Sequence, residues 1–342
     1  MQHPDGFRAA AAPRRRCRHR RVRAWLACAA VVSVVGICFL FAPSANGRTR
    51  YTEQTDNWRK EEYFCGKEFR VAGPAHVSLS CDAGAFMYLA RNPAEIFRSP
   101  IWQGRPLYPV VGMLMAAPLR AAGLERVGRW RGYPRYFPEY VGFQLLNWML
   151  LVASAMLLYQ LTGATSWRHP RLVVPLALLL VNWVTKAWFW TPHVQMLNLL
   201  LPLGTLAALV RLQRARTVPT PRLAAAAGLT LGVGALAYGA FAVPAGALAL
   251  WMLFGDGWAG FRARTAGRLA SVAVLLIVFS IPMSLWAAVV IARTGGFVMG
   301  ETDKFHEFVW IGEKAAQGIG ALAGSTCRHL LLFAGTIPRV VS

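Results

Sequence analysis

Acidic side chains are scarce in this sequence, with 15 Asp and Glu against 37 Lys and Arg over 342 residues. The four charged types together make up 15% of the chain, below the roughly 25% with which a soluble domain covers its surface. That shortage excludes an ordinary water-soluble globule, because too little polar surface exists to face water. The six cysteines include no CxxC pair and no Cys/His cluster at metal spacing, which excludes a cysteine-built metal centre. No internal repeat is present. No basic stripe interleaved with stacking aromatics occurs on a soluble segment, so nucleic acid is not an expected partner despite a net charge of +22.

What the chain has instead is apolar residues, 56% of the total, gathered into runs. The first run, Trp25 to Ala42, follows eight arginines (Arg8, Arg14, Arg15, Arg16, Arg18, Arg20, Arg21 and Arg23) opposed only by Asp5. Basic residues before an apolar run face the cytoplasm and its anionic lipid. Residues 1–23 are therefore expected to be a cytoplasmic basic tail and residues 24–42 an uncleaved signal anchor. A cleavage after Ala45 would put Pro43 where a small residue normally stands. Residues 43–106 then form a first extracytoplasmic loop, 107–292 a multi-helix transmembrane core, 293–326 a second polar loop, and 327–342 a partial apolar helix. The fold class expected is an all-α polytopic bundle, with short interfacial helices in the first loop over Ala83 to Leu89 and Pro93 to Trp102.

Within the core, spans are expected at about Glu139 to Leu161, Leu172 to Trp190, Val194 to Leu212 and Leu269 to Ile291. Two shorter helices over Leu223 to Phe254 turn at Tyr238-Gly239. Leu107 to Leu119 is too short to span and carries Pro109 and Pro118. Arginines at 168, 171, 211, 214, 216, 222, 262, 264 and 268 all favour the cytoplasmic side. They agree with a cytoplasmic N-terminus if 107–119 is re-entrant, which leaves Arg120 to Arg135 outside. Cys65 and Cys81 share the first loop, where an oxidising compartment would allow a disulfide.

Chemistry concentrates in Cys81-Asp82-Ala83-Gly84-Ala85-Phe86-Met87-Tyr88 and in Gln103-Gly104-Arg105-Pro106-Leu107-Tyr108-Pro109. An acid in the first outer loop, a helical turn with a tyrosine, and an arginine-proline approach to the membrane resemble the GT-C class of membrane glycosyltransferases. The resemblance extends from about Asp82 to Leu212 and includes the turn Trp190-Thr191-Pro192-His193-Val194-Gln195. It implies sugar transfer from a polyprenyl-phosphate-linked donor to an extracytoplasmic acceptor, at a bacterial cell membrane. It also implies Asp82 as the acidic residue essential for transfer, placed to act as a base, with Tyr88, Gln103, Arg105, Lys186, His193 and Gln195 toward substrate. The chain departs from common members in having a single Asp, and in placing His193 and Gln195 where an acid often stands. A divalent metal would suit a departing phosphate, but no strong metal motif specifies one.

The same residues have plainer readings. Asp82 can cap a helix beginning at Ala83, Arg105 can anchor at an interface, and Lys186 can reach toward headgroups. Asn147, Asn182 and Asn198 suit hydrogen bonds between helices. Glu301, Asp303, His306 and Glu307 form an acidic, histidine-bearing cluster suited to a solvated loop or to a metal. Two other function classes fit the composition: a transporter or flippase for a lipid-linked or small anionic substrate, and a non-catalytic membrane partner. A cavity lined by Asp82 at the outer end separates the enzyme from both.

Overall fold

A computed structural model describes residues 12–41, 68–72, 74–98, 100–130, 136–163, 169–215, 220–255, 265–297, 309–328 and 331. The elements run α1 (Ala12–Leu40), β1 (Glu68–Ala72), β2 (Ala75–Ser78), α2 (Cys81–Arg91), α3 (Pro100–Gln103), α4 (Leu107–Ala121) and α5 (Leu124–Trp130). They continue with α6 (Phe137–Thr162), α7 (Pro170–Val181), α8 (Trp183–Trp188), α9 (Leu197–Ala215), α10 (Pro221–Ala235), α11 (Ala242–Phe254), α12 (Thr265–Thr294) and α13 (Val309–Ala316). Short 3-10 turns precede α3, α9 and α11. The expected all-helical fold needs one amendment, because β1 and β2 pair as an antiparallel hairpin with Glu68 opposite Ser78 and Phe69 opposite Val77. A hairpin of so few residues carries no hydropathy signal that distinguishes it from a polar loop.

Four helical segments are long and apolar enough to cross a membrane: Val22–Leu40, Phe137–Thr162, Val194–Arg214 and Thr265–Thr294. Their outward faces carry large apolar side chains such as Val34, Leu206, Ile277 and Leu285, each at least half exposed, which suits a lipid environment. Polar backbone is paired within the helices, as hydrocarbon requires.

Contacts between ends fix the direction of each helix. Leu40 packs against the cluster that holds Tyr136 and Phe143 near the start of α6, while Trp25 meets Trp148 farther along it, so α1 and α6 run antiparallel. α9 runs parallel to α6, with Gly204 against Leu157 and Arg211 bonded to Gln160 at 2.7 Å. At the far end Leu209, Leu212, Ala224, Met252 and Leu275 share one cluster, and Arg268 donates to the Leu253 carbonyl at 2.9 Å, closing the end of α11. The α1, α6, α7–α8, α9, α10, α11 and α12 runs therefore alternate in direction, and α10 and α12, with α11 between them in sequence, accordingly lie parallel.

α4 does not continue this alternation. It is about 22 Å long, begins where the Leu107 amide donates to the Leu236 carbonyl at 3.0 Å, and runs antiparallel to the first turns of α6. Gly112 takes the Phe143 ring against its backbone, Gly142 approaches the Ala116 amide, and Arg120 reaches Glu139. Both the Arg120 end of α4 and the first residues of α6 thus lie at the end where α1 terminates. This is the arrangement in which the basic ends of α7, α9, α10 and α12 fall together with the start of α1.

One expected span is interrupted. Asn182 adopts an extended backbone (φ −69°, ψ 161°) and splits Leu172 to Trp190 into α7 and α8. The break is repaired locally, since Asn182 Oδ1 accepts from the Thr185 amide at 3.0 Å, its Nδ2 donates to the Leu179 carbonyl at 2.6 Å, and the Thr185 hydroxyl donates to the same carbonyl at 2.7 Å. An asparagine inside an apolar run reads equally well as a contact between helices, so the sequence pattern does not reveal the break.

α10 and α12 make the closest helix contact of the bundle, and glycine permits it. A Cβ on Gly228 would stand 2.5 Å from the Leu275 carbonyl oxygen, and one on Gly232 would collide with the Phe279 carbonyl. Gly228→Val is therefore expected to destabilise the protein by roughly 1–3 kcal/mol, read as a lowered thermal midpoint in detergent. An unchanged midpoint contradicts this packing.

Candidate functional site

The first turn of α2 begins with a serine. The Ser80 hydroxyl accepts from the Ala83 amide at 3.3 Å, which makes Ser80 the N-cap and places Asp82 within the helix's first turn. The capping role that Asp82 might have taken is already filled, and its carboxylate is half exposed (52%). A carboxylate in the first turn also sits favourably against the positive end of the helix dipole.

Across from it stands His193, 111 residues later, with Nε2 at 3.1 Å from Asp82 Oδ2. The imidazole is almost fully enclosed (8% exposed) and is oriented from three sides. Its Nδ1 accepts from the Gln195 amide at 3.2 Å, capping the 3-10 turn Val194–Met196. An Nδ1 that accepts a hydrogen bond carries no proton, so in this arrangement the proton sits on Nε2 and is donated to Asp82. The Trp188 ring stacks on the imidazole at a centroid distance of 4.2 Å, and Phe86 meets it edge-on at 6.0 Å.

The histidine turn is itself held by α6. Where α8 ends, the Trp188 carbonyl keeps the Thr191 amide at 3.2 Å, and the carbonyls of residues 189–191 lie beyond the helix. Asn147 Nδ2 lies 3.1, 3.1 and 3.0 Å from the carbonyls of Trp188, Phe189 and Thr191, while Tyr140 Oη and Gln144 Nε2 donate to the Trp190 carbonyl at 3.1 and 3.0 Å. Trp190 Nε1 donates in turn to the Gly36 carbonyl of α1 at 2.8 Å. Asn147 thus serves a backbone turn rather than another side chain.

α2 is held over this turn by rings and by charge. Phe86 is fully buried against Trp102 and Tyr108, both at 4.8 Å, and near Phe143. At the other end of α2, Arg91 pairs with Glu125 at 2.6 Å and lies 3.7 Å from the buried Glu139, which Arg120 contacts at 2.5 Å. Burial opposes the charge on Arg91, but the hydrogen bond to Glu125 and the charges of Glu139 and Glu125 outweigh it and hold the guanidinium protonated. This ion cluster had no counterpart in the sequence reading; Glu139 at the start of an apolar span was its one available signal.

The other expected site residues divide. Gln195 bonds closely with Asn198, whose Nδ2 also donates to Tyr238 Oη at 3.2 Å, and the Arg105 guanidinium lies 5.4 Å from the centre of the Tyr238 ring. Those groups form a polar chain leading away from His193. Tyr88 instead packs edge-on against Tyr136 at 6.3 Å, and Gln103 is buried, donating to the Phe97 carbonyl at 3.0 Å and accepting from Trp286 at 2.7 Å. Both are held by packing and hydrogen bonds within the first-loop region. Lys186 lies half-buried on α8, and among the described residues no hydrogen bond or ion pair ties it to Asp82 or His193. Cys65 and the Cys81 side chain, and the cluster of Glu301, Asp303, His306 and Glu307, lie outside the described residues. Among the described residues no group of three or more His, Cys, Asp or Glu is placed to hold a metal ion.

Comparison of the chain with protein-family models, curated proteins and solved structures finds no match in any of the three.

Replacing Asn147 by leucine keeps the branching of its side chain and removes the amide that serves the carbonyls of Trp188, Phe189 and Thr191. A loss of about 1–3 kcal/mol is expected, again as a lowered thermal midpoint, together with loosening of the His193 turn. Wild-type stability in Asn147→Leu contradicts the assigned role.

Proposed function

We propose that this protein is a membrane group-transfer enzyme of GT-C type, moving a sugar from a polyprenyl-phosphate donor to an acceptor hydroxyl at the end of the bundle where α1 terminates. The observation that carries the reading is the pair formed by a half-exposed Asp82 and an enclosed, singly oriented His193. A carboxylate that is reachable from outside yet held by a fixed donor from below suits a general base. The sequence resemblance and the apolar bundle support the lipid-linked donor.

In this mechanism Asp82 accepts the proton of the acceptor hydroxyl as that oxygen attacks the anomeric carbon. The bond between the anomeric carbon and the phosphate oxygen breaks, and its electron pair leaves on the lipid phosphate. His193 does not touch substrate. It positions Asp82 through the Nε2 hydrogen bond, and the Gln195 amide fixes which nitrogen carries the proton. Growing charge on the departing phosphate calls for a fixed cation. Arg105, at the end of the chain through Tyr238 and Asn198, is assigned that role.

Membranes carrying the full chain, supplied with radiolabelled polyprenyl-phosphate sugars, provide the test. Asp82→Asn is expected to lower turnover by about 100-fold or more, with folding and donor KM little changed, while His193→Gln gives a smaller loss. Wild-type turnover in a folded Asp82→Asn protein removes the proposed base.

A further inference from the structure

We propose a second site, independent of Asp82, in which the cleft between α4 and α5 holds the phosphate head of an anionic membrane lipid while its chains lie along α4. The cleft has a volume of about 390 Å³ and is lined by Arg120, Ala121, Ala122, Gly123, Glu125 and Arg126. It lies toward the opposite end of α2 from the dyad, since Asp82 and Arg91 are nine residues apart, about 13 Å along a helix.

Charge decides the sign of the occupant. Glu125 is paired with Arg91 and Glu139 with Arg120, so the two carboxylates are both engaged by guanidiniums. Arg126 remains as surplus positive charge; its side chain is exposed and forms no ion pair with the described residues. Three arginines around two carboxylates leave a net positive field in a concave site, which attracts an anion. Gly123, in the left-handed region at φ 79°, makes the tight turn between the helices and adds no side chain to obstruct the cleft.

The α4 surface decides the rest of the occupant. Leu114, Ala117, Pro118 and Ala121 are exposed at spacings of three and four residues, so they form one apolar stripe leading to Arg120. Leu114 is 61% exposed, and Val127 of α5 extends the apolar surface beyond the cleft. The opposite face of α4, with Tyr108, Gly112 and Ala116, is buried against the bundle. The stripe therefore flanks α6, one of the helices able to cross a membrane, and faces the same surroundings. An apolar track ending in a cationic cleft is complementary to a lipid with a phosphate head, and to neither a free sugar nor a plain hydrocarbon.

Binding of fluorescent phosphatidic acid and of the matching fluorescent diacylglycerol to the full chain in detergent tests the assignment without any turnover, so it succeeds or fails separately from the glycosyl-transfer reading. Phosphatidic acid is expected to bind more tightly than diacylglycerol. Arg126→Gln should weaken phosphatidic acid about fivefold and leave diacylglycerol unchanged, whereas Leu114→Asn should weaken both. These side chains are exposed, and an unchanged thermal midpoint confirms that each variant is folded. Equal binding of phosphatidic acid to wild type and Arg126→Gln overturns the site. Full displacement of the lipid by millimolar inorganic phosphate, with Leu114→Asn without effect, overturns the lipid and leaves a simple phosphate site.

Discussion

A helix that ends inside an apolar bundle must find partners for its last carbonyls, and that requirement organises the centre of this protein. α8 stops at Trp188, and water is scarce in such surroundings, so the carbonyls of Trp188 through Thr191 turn to Tyr140, Gln144 and Asn147 on α6. Those bonds cannot be traded for solvent without cost. They hold the turn in one place, and His193 emerges from it already facing Asp82. The geometry at Asp82 is thus a consequence of backbone accounting one layer below. Trp190 ties the same turn to α1 through the Gly36 carbonyl, so three helices share the constraint.

Above this layer, α2 is secured at its middle and at its last residue by different physics. Its middle is anchored by Phe86 among aromatic rings, while its last residue joins an ion cluster with Glu125, Glu139 and Arg120. Glu139 is wholly enclosed, and a buried carboxylate is sustained only by close cations. Arg120 and Arg91 provide them, which explains how a charged residue can open an otherwise apolar helix. The same cluster leaves Arg126 outside the pairing, and the cleft beside it acquires a positive field as a by-product of how α6 begins.

Much of the scaffold is legible in the sequence, because lipid demands long apolar runs and these are hard to disguise. The spans at 139–161, 194–212 and 269–291, the turn at Tyr238-Gly239 and the short helix after Arg105 all follow from hydropathy and proline placement. The first-loop helix around Asp82 also shows itself through composition. The break at Asn182 does not, since one polar residue in an apolar run has several meanings until its neighbours are known. The hairpin of β1 and β2 is too short for any pattern. Ser80 as the N-cap was readable in principle, from a serine just ahead of Cys81-Asp82, yet the acidic neighbour competed for the same role. The meeting of Asp82 with His193 lies beyond sequence reasoning, because it depends on how a broken helix pair closes across more than a hundred residues. Tyr88 and Gln103 stand within the informative stretch, and their contacts with Tyr136 and with the Phe97 carbonyl come from packing that no sequence pattern shows.

The contact between Asp82 and His193 is the claim on which the functional account rests, and proximity can be measured directly. In a background lacking the native cysteines, Asp82→Cys and His193→Cys are introduced together and treated in open membranes with a short bis-methanethiosulfonate that spans the space of the two lost side chains. The account predicts rapid intramolecular crosslinking across the gap that the two side chains fill, absent when either cysteine is paired with a control position on the Gln160 end of α6. Failure of the 82–193 pair to crosslink in a folded protein, with both thiols open to alkylation, would show that α2 does not dock on the histidine turn and would contradict the proposed site.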